Sequence, residues 1–165
     1  MNWLEYYILI AEQIKLKSKD ENTKIGVVIV GPNQEIRSTG YNSFPRGLND
    51  NLKERQSREE GEKYFWFEHA ERNAIYNAAR VGIPLDGCLM YLTCGCPCAD
   101  CARAVIQAGI KTIWIRPGNP ITGKPSTLWD KHAEKSRIMF KESGVQVNYW
   151  NYNENNKPVI HYESN

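Results

Sequence analysis

Ile25-Gly26-Val27-Val28-Ile29-Val30-Gly31-Pro32-Asn33 is the stretch on which the fold turns. An apolar, β-branched run stopped by Gly-Pro-Asn reads as a buried strand followed by a turn. Glu35 to Tyr41 is long enough for the return strand, so the sheet opens with an antiparallel hairpin. Upstream, Trp3, Tyr7, Ile10 and Ile14 recur at spacings of four, three and four, the signature of an amphipathic helix. Downstream, residues 42–64 break every period, with Pro45, Gly47 and dense charge of both signs from Asp50 to Lys63. They read as a loop, of a length that is often functional.

The remainder alternates helix and strand. Tyr64 to Val81 is alanine-rich and free of internal Gly and Pro, a helix stopped by Gly82-Ile83-Pro84. Cys88 to Thr93 is a short strand, Cys98 to Ala108 a helix ended by Gly109, and Lys111 to Arg116 a further strand. Pro117 to Pro125 is a Gly- and Pro-rich loop, and Leu128 to Glu142 a helix ending before Gly144. Val145, Val147 and Tyr149 alternate as the last strand. The order α-β-β-α-β-α-β-α-β predicts an α/β domain in three layers, a five-stranded mixed sheet with helices on both faces. Residues 1–150 form this single domain and 151–165 a polar tail.

Composition limits the function. The chain has 165 residues, 41% hydrophobic and 24% charged, enough for one core. A net charge of +2 is no footprint for a nucleic-acid polymer, although one cationic cluster suffices for a small anion. No apolar run reaches the roughly 18 residues of a membrane span. Met1 to Ile10 carries Glu5 and no basic leader, so a cytoplasmic location is expected. Cys94, Cys96, Cys98 and Cys101 fall within eight residues, with Cys88 just upstream. In a reducing compartment such clustering points to metal or catalysis rather than disulfides.

His69-Ala70-Glu71 stands at the start of one helix and Pro97-Cys98-Ala99-Asp100-Cys101 at the start of another. Cys98 and Cys101, three apart, share a helix face in a first turn whose N–H groups and macrodipole favour thiolate. His69, Cys98 and Cys101 supply three ligands for Zn2+, one ion per chain, and leave a position for water. Glu71, two residues beyond His69, can move that water's proton. Taken singly, each feature has a plainer reading: a core histidine, a redox Cys-x-x-C, a dipole-complementing glutamate. Jointly those readings need three coincidences, and the redox reading accounts for neither His69 nor Glu71. Cys94 and Cys96, in the loop before Pro97, have two readings, further metal ligands or pocket residues with Cys96 lining the wall and Cys94 packing nearby, and Cys88 reads as a small buried hydrophobe.

His-x-Glu followed by Pro-Cys-x-x-Cys is the signature of zinc-dependent nucleobase deaminases. Ser18-Lys19-Asp20, Thr23-Lys24-Ile25-Gly26, Thr39-Gly40-Tyr41-Asn42-Ser43-Phe44-Pro45-Arg46-Gly47 and Ile106-Gln107-Ala108-Gly109-Ile110 extend the match, so the chain resembles the deoxycytidylate (dCMP) deaminases from about Ser18 to Arg116. The resemblance implies a cytidine-deaminase-like fold, His69, Cys98 and Cys101 on zinc, and attack of activated water on C4 of cytosine. It implies that Glu71 protonates the ring nitrogen and later the departing ammonia, that the Ala70 N–H meets the base, and that Asn42 meets the sugar. Among Lys24, Arg46, Arg55, Arg58 and Arg72 it favours Arg46 for the phosphate. It further implies a dCMP substrate, dCTP and dTTP as activating and inhibiting effectors, and a hexameric homo-oligomer. Two departures bear on the pocket. Ser43 stands where the family commonly has Gly, and three residues, Cys94-Gly95-Cys96, separate Thr93 from Pro97 where two are usual. The competing readings are a related zinc deaminase acting on another cytosine nucleotide or nucleoside, a tRNA base or a riboflavin precursor, and a non-catalytic zinc module for protein assembly. Glu71 separates the last from the others, because a structural site has no use for a carboxylate beside an open ligand position.

Overall fold

The computed structural model describes residues 1–117 and 127–161. Apart from Pro117, the loop expected from Pro117 to Pro125 lies outside the described residues, as does the tail beyond 161. The sheet has the order β2-β1-β3-β4-β5-β6, built from β1 (Gly26–Val30), β2 (Ile36–Tyr41), β3 (Leu89–Leu92), β4 (Thr112–Ile115), β5 (Gln146–Tyr152) and β6 (Pro158–His161). β1 pairs antiparallel with both β2 and β3, β3–β4 and β4–β5 are parallel, and β5–β6 is antiparallel. The sheet is therefore mixed, as the opening hairpin predicts.

All five residues of β1 are buried. With a strand on each side and helices on each face it has no solvent side, hence an unbroken apolar run. Its residues sort by the two-residue period of a strand. Val27 and Ile29 pack with Ala70, Ala74, Met90, Leu92, Val105, Ile113 and Phe140. Val28 and Val30 pack on the other face with Leu4, Tyr7, Ile8, Ala11, Tyr91 and Trp150. α1 (Trp3–Ile14) covers this second face, started by the Asn2 side chain, which accepts the Glu5 N–H at 2.8 Å. Gly26 lets α1 lie that close: a Cβ there would sit 2.0 Å from the Ala11 carbonyl oxygen.

Three further helices carry the opposite face: α3 (Ala70–Val81), α4 (Ala99–Gln107) and α5 (Thr127–Ser143). The helix expected as one piece over 64–81 is two. α2 (Glu62–Trp66) ends at Phe67, whose backbone is extended, and α3 begins after His69. Glu68 and Ser43 exchange backbone hydrogen bonds in an isolated antiparallel bridge at 3.1 and 2.8 Å, and the Phe44 and Phe67 rings pack 4.3 Å apart. Tertiary pairing thus overrides local helix propensity where the sequence carries no Gly or Pro.

The polar tail expected from Asn151 also differs. β5 runs on to Tyr152, Asn156 takes a left-handed turn with φ 56°, and Pro158–His161 adds a sixth strand to the five expected. Pro158 at the start of an edge strand gives up no ladder hydrogen bond. The tail is polar because an edge strand has one face to bury at most.

Candidate active site

α3 is stitched to β2 by side chains reaching backbone. Ser38 donates to the Ala74 carbonyl at 2.7 Å, Asn73 to that of Tyr41 at 2.8 Å and Asn77 to that of Thr39 at 2.7 Å. Ala70, Ala74 and Ala78 are the buried stripe that permits the approach. This fixes the α3 N-terminus, where His69 holds the N-cap position with extended backbone and Ala70 and Glu71 open the helix. Across the cleft Cys98 holds the N-cap position of α4, with Cys101 in its first turn. An ion-pair link joins the two starts: Arg72 on α3 binds Glu68 at 2.5 Å and reaches Asp100 on α4 at 3.6 Å.

His69 Nδ1 lies 3.5 Å from Cys98 Sγ and 3.4 Å from Cys101 Sγ. In a tetrahedral centre with Zn–N about 2.05 Å and Zn–S about 2.3 Å the N···S edge is about 3.6 Å. The donor set fits zinc in chemistry and in spacing. Among the described residues these three are the group of His, Cys, Asp and Glu side chains able to hold a metal ion.

The electrostatics suit a dication. A hydrogen bond from Cys101, against burial and aided by His69, pulls the Cys98 thiol down to about 4. That same bond and burial push Cys101 up. Burial alone would lower His69, but its contact with Cys98 and the nearby Glu71 hold it above its ordinary value. A cation bound here gains one ready thiolate and displaces the remaining protons. Glu71 is 3% exposed and stands outside the ligand set, and burial pushes its carboxyl up.

Glu71, His69 and Cys98 open into a cleft of about 380 Å³ whose walls include Asp20, Asn42, Lys63, Phe67, Cys94, Cys96 and Trp129. That is room for a mononucleotide-sized ligand. Cys94 and Cys96 line it without joining the ligand set, and burial keeps both as thiols, Cys96 up to about 11. Cys88 is fully buried outside it.

The sequence-predicted residues divide. Asn42 is on the cleft wall, but its amide is heavily used. Nδ2 donates to Asp20 at 2.9 Å and to the Thr23 carbonyl at 2.8 Å, while Oδ1 accepts the Ile25 N–H at 2.8 Å. One Oδ1 lone pair is left for a ligand. Ala70 is fully buried at the first position of α3, where no side chain caps the helix and the first N–H groups lack intrahelical acceptors. Arg46 is not on the cleft: it is exposed and donates to Asn77. Ser43, the departure from the family pattern, is absent from the positive-φ positions, so its backbone conformation needs no glycine.

Several cleft residues escaped the sequence reading. Lys63 donates to Asp20, and both are nearly buried. The signal for Lys63 was the length of the charged loop that holds it, with nothing to single out one lysine. From α5 come Trp129, His132 and Arg137; Arg58, already among the phosphate candidates, joins them from the loop before α2. Trp129 and His132, three apart on a helix, were a readable pair.

Residues 1–116 match the family model described as the cytidine and deoxycytidylate deaminase zinc-binding region. Human deoxycytidylate deaminase is 36% identical over 153 residues, spanning 88% of this chain and 78% of that one. The mouse deoxycytidylate deaminase is 32% identical over 148 residues, with the same coverage of each chain, 88% and 78%. The crystal structure of dCMP deaminase from the cyanophage S-TIM5 in complex with dCMP and dUMP superposes with a TM-score of 0.66 at 25% identity, covering 88% of this chain and 94% of that one. Among the described residues no helix is long and apolar enough to cross a membrane. With a His-Cys-Cys zinc site set at two helix starts, the chain belongs to the zinc-dependent cytidine and deoxycytidylate deaminase family.

Proposed function

We propose that this chain hydrolyses dCMP to dUMP and ammonia, a step that feeds dTMP synthesis. The observation that carries the reading is the set of three ligands, His69, Cys98 and Cys101, beside a buried carboxylate that is not a ligand, Glu71, at the floor of a cleft. Relatives named deoxycytidylate deaminases support the substrate.

Zinc held there supplies a Lewis acid that makes water nucleophilic near neutral pH. Glu71 takes one proton of the attacking water and delivers it to the ring nitrogen, then takes the second from the hydroxyl formed on C4 and gives it to the amine as the C4–N bond breaks. Burial favours this cycling, because a raised carboxyl gives and takes protons closer to neutrality. The Ala70 N–H, unused within α3, donates to the base. Asn42 meets a sugar hydroxyl with its remaining lone pair and otherwise serves to hold the wall. For the phosphate, Arg58 and Arg137 on the cleft are better placed than Arg46. Regulation by dCTP and dTTP and a hexameric assembly follow from the resemblance. A non-catalytic zinc module is the weaker reading, since it leaves both Glu71 and the cleft without a use.

The test is an ultraviolet absorbance assay across dCMP, CMP, cytidine, deoxycytidine and dCTP, with and without added dCTP and dTTP. dCMP should be consumed fastest. Equal rates on cytidine would overturn the nucleotide reading, and no deamination of any of them by zinc-loaded protein would overturn the enzyme.

A further inference from the structure

We propose that His132 is a positioning residue of the metal centre: it caps α4 from the neighbouring helix and thereby fixes the backbone that carries Cys98 and Cys101. The inference rests on the zinc site and not on which nucleotide is hydrolysed.

A helix start leaves N–H groups without acceptors, and the N-cap side chain normally accepts one of them. In α4 the N-cap residue is Cys98, which makes no side-chain cap bond and whose sulfur faces His69 at 3.5 Å. An N-cap side chain serves the second or third N–H of a helix, so the first, that of Ala99, still needs an acceptor. The need is met from outside, because the Ala99 N–H, first in α4, donates to His132 Nδ1 at 3.2 Å. An Nδ1 that accepts a hydrogen bond carries no proton, so this imidazole holds its proton on Nε2.

His132 is itself held. Ser136, one turn on, is fully buried and donates to the His132 carbonyl at 2.9 Å. Trp129, one turn back, has its ring 5.9 Å from that of His132 and 6.2 Å from that of His69. A second tie runs from the same loop to the same turn of α5, Cys96 Sγ to the Ala133 carbonyl at 3.8 Å. Two adjacent residues of α5 thus clasp the segment from 96 to 99. Groups that orient metal ligands from behind change metal affinity by roughly 10–100-fold when removed.

Zinc affinity is measured by chelator competition on the zinc-loaded wild type, H132A and H132N, with the cobalt(II) form of each recorded by absorbance. H132A should weaken zinc binding by about 10-fold or more and shift the sulfur-to-cobalt charge-transfer band. H132N, whose Oδ1 can accept the same amide proton, should restore both, which a merely space-filling role would not require. Wild-type affinity and an unchanged cobalt spectrum in H132A would overturn the proposal. Should H132A fail to fold, the native chain decides. A through-hydrogen-bond nitrogen–nitrogen coupling between Ala99 N and His132 Nδ1 is expected, and its absence overturns the cap.

Discussion

Gly40 lies directly against Ala70: a Cβ on Gly40 would sit 2.4 Å from the Ala70 carbonyl oxygen and 2.5 Å from the Ala74 nitrogen. The glycine of the Thr39-Gly40-Tyr41-Asn42 stretch therefore sets how closely the sheet approaches the helix that begins at His69. Gly40→Ala must push α3 outward, and backbone on both sides leaves little room to relax. Overpacking of this kind costs about 1–3 kcal/mol. Misplacement of the first turn by about 1 Å costs roughly 100-fold in rate. Urea denaturation and steady-state kinetics on G40A should show both losses, the kinetic one the larger.

Lys63 and Asp20 form an ion pair with side chains 7% and 2% exposed. Burial alone would raise the Asp20 carboxyl, but the Lys63 ammonium and the Thr23 and Asn22 N–H groups outweigh it and hold the carboxyl below its ordinary value. Protons then bind the unfolded chain more readily than the folded one. This share of stability is complete above the unfolded Asp value of roughly 3.9 and is lost as pH falls through the lower folded value. Lys63→Met strands the carboxylate and should destabilise by about 3–5 kcal/mol. Thermal melts from pH 7 down to pH 3 should show wild type and K63M converging at the acid end.

Cys98→Ser and Cys101→Ser should each lose most bound zinc and nearly all turnover, because a hydroxyl stays protonated where a thiolate is needed. In the wild type, chelation should lower thermal stability: free zinc at 100 times its Kd contributes about 2.7 kcal/mol. Elemental analysis and a melt with and without chelator check this, and a melting temperature indifferent to zinc would count against the site.

The hairpin, the helix–strand alternation and the zinc triad were legible because each rests on local pattern. β1 reads as apolar throughout, and the ligands sit at helix starts that sequence spacing marks. The parts that escaped depend on contacts distant in sequence. The break at Phe67 is imposed by pairing of Glu68 with Ser43 and packing of Phe67 on Phe44. Lys63 becomes part of the cleft wall through Asp20, 43 residues away. Arg46, favoured from its loop, turns to Asn77 on α3 instead. The sixth strand had a signal, since Asn153 to Asn156 is a turn-forming run followed by Pro158-Val159-Ile160.

Trp150 joins that C-terminal hairpin to the core, being fully buried with Nε1 donating to the Leu92 carbonyl at 2.9 Å. Trp150→Ala should cost roughly 3–5 kcal/mol. The loss falls on the face of the sheet covered by α1, away from the zinc ligands, so KM for dCMP at low temperature should change little while the melting temperature drops.

Glu71→Gln tests the central chemistry most directly, because the amide keeps the shape and leaves His69, Cys98 and Cys101 untouched. Turnover of dCMP is measured on protein whose zinc content is determined in the same sample. The expected result is full zinc occupancy with dCMP turnover reduced by about 100–10,000-fold. Zinc-loaded E71Q that deaminates dCMP at the wild-type rate would contradict the account.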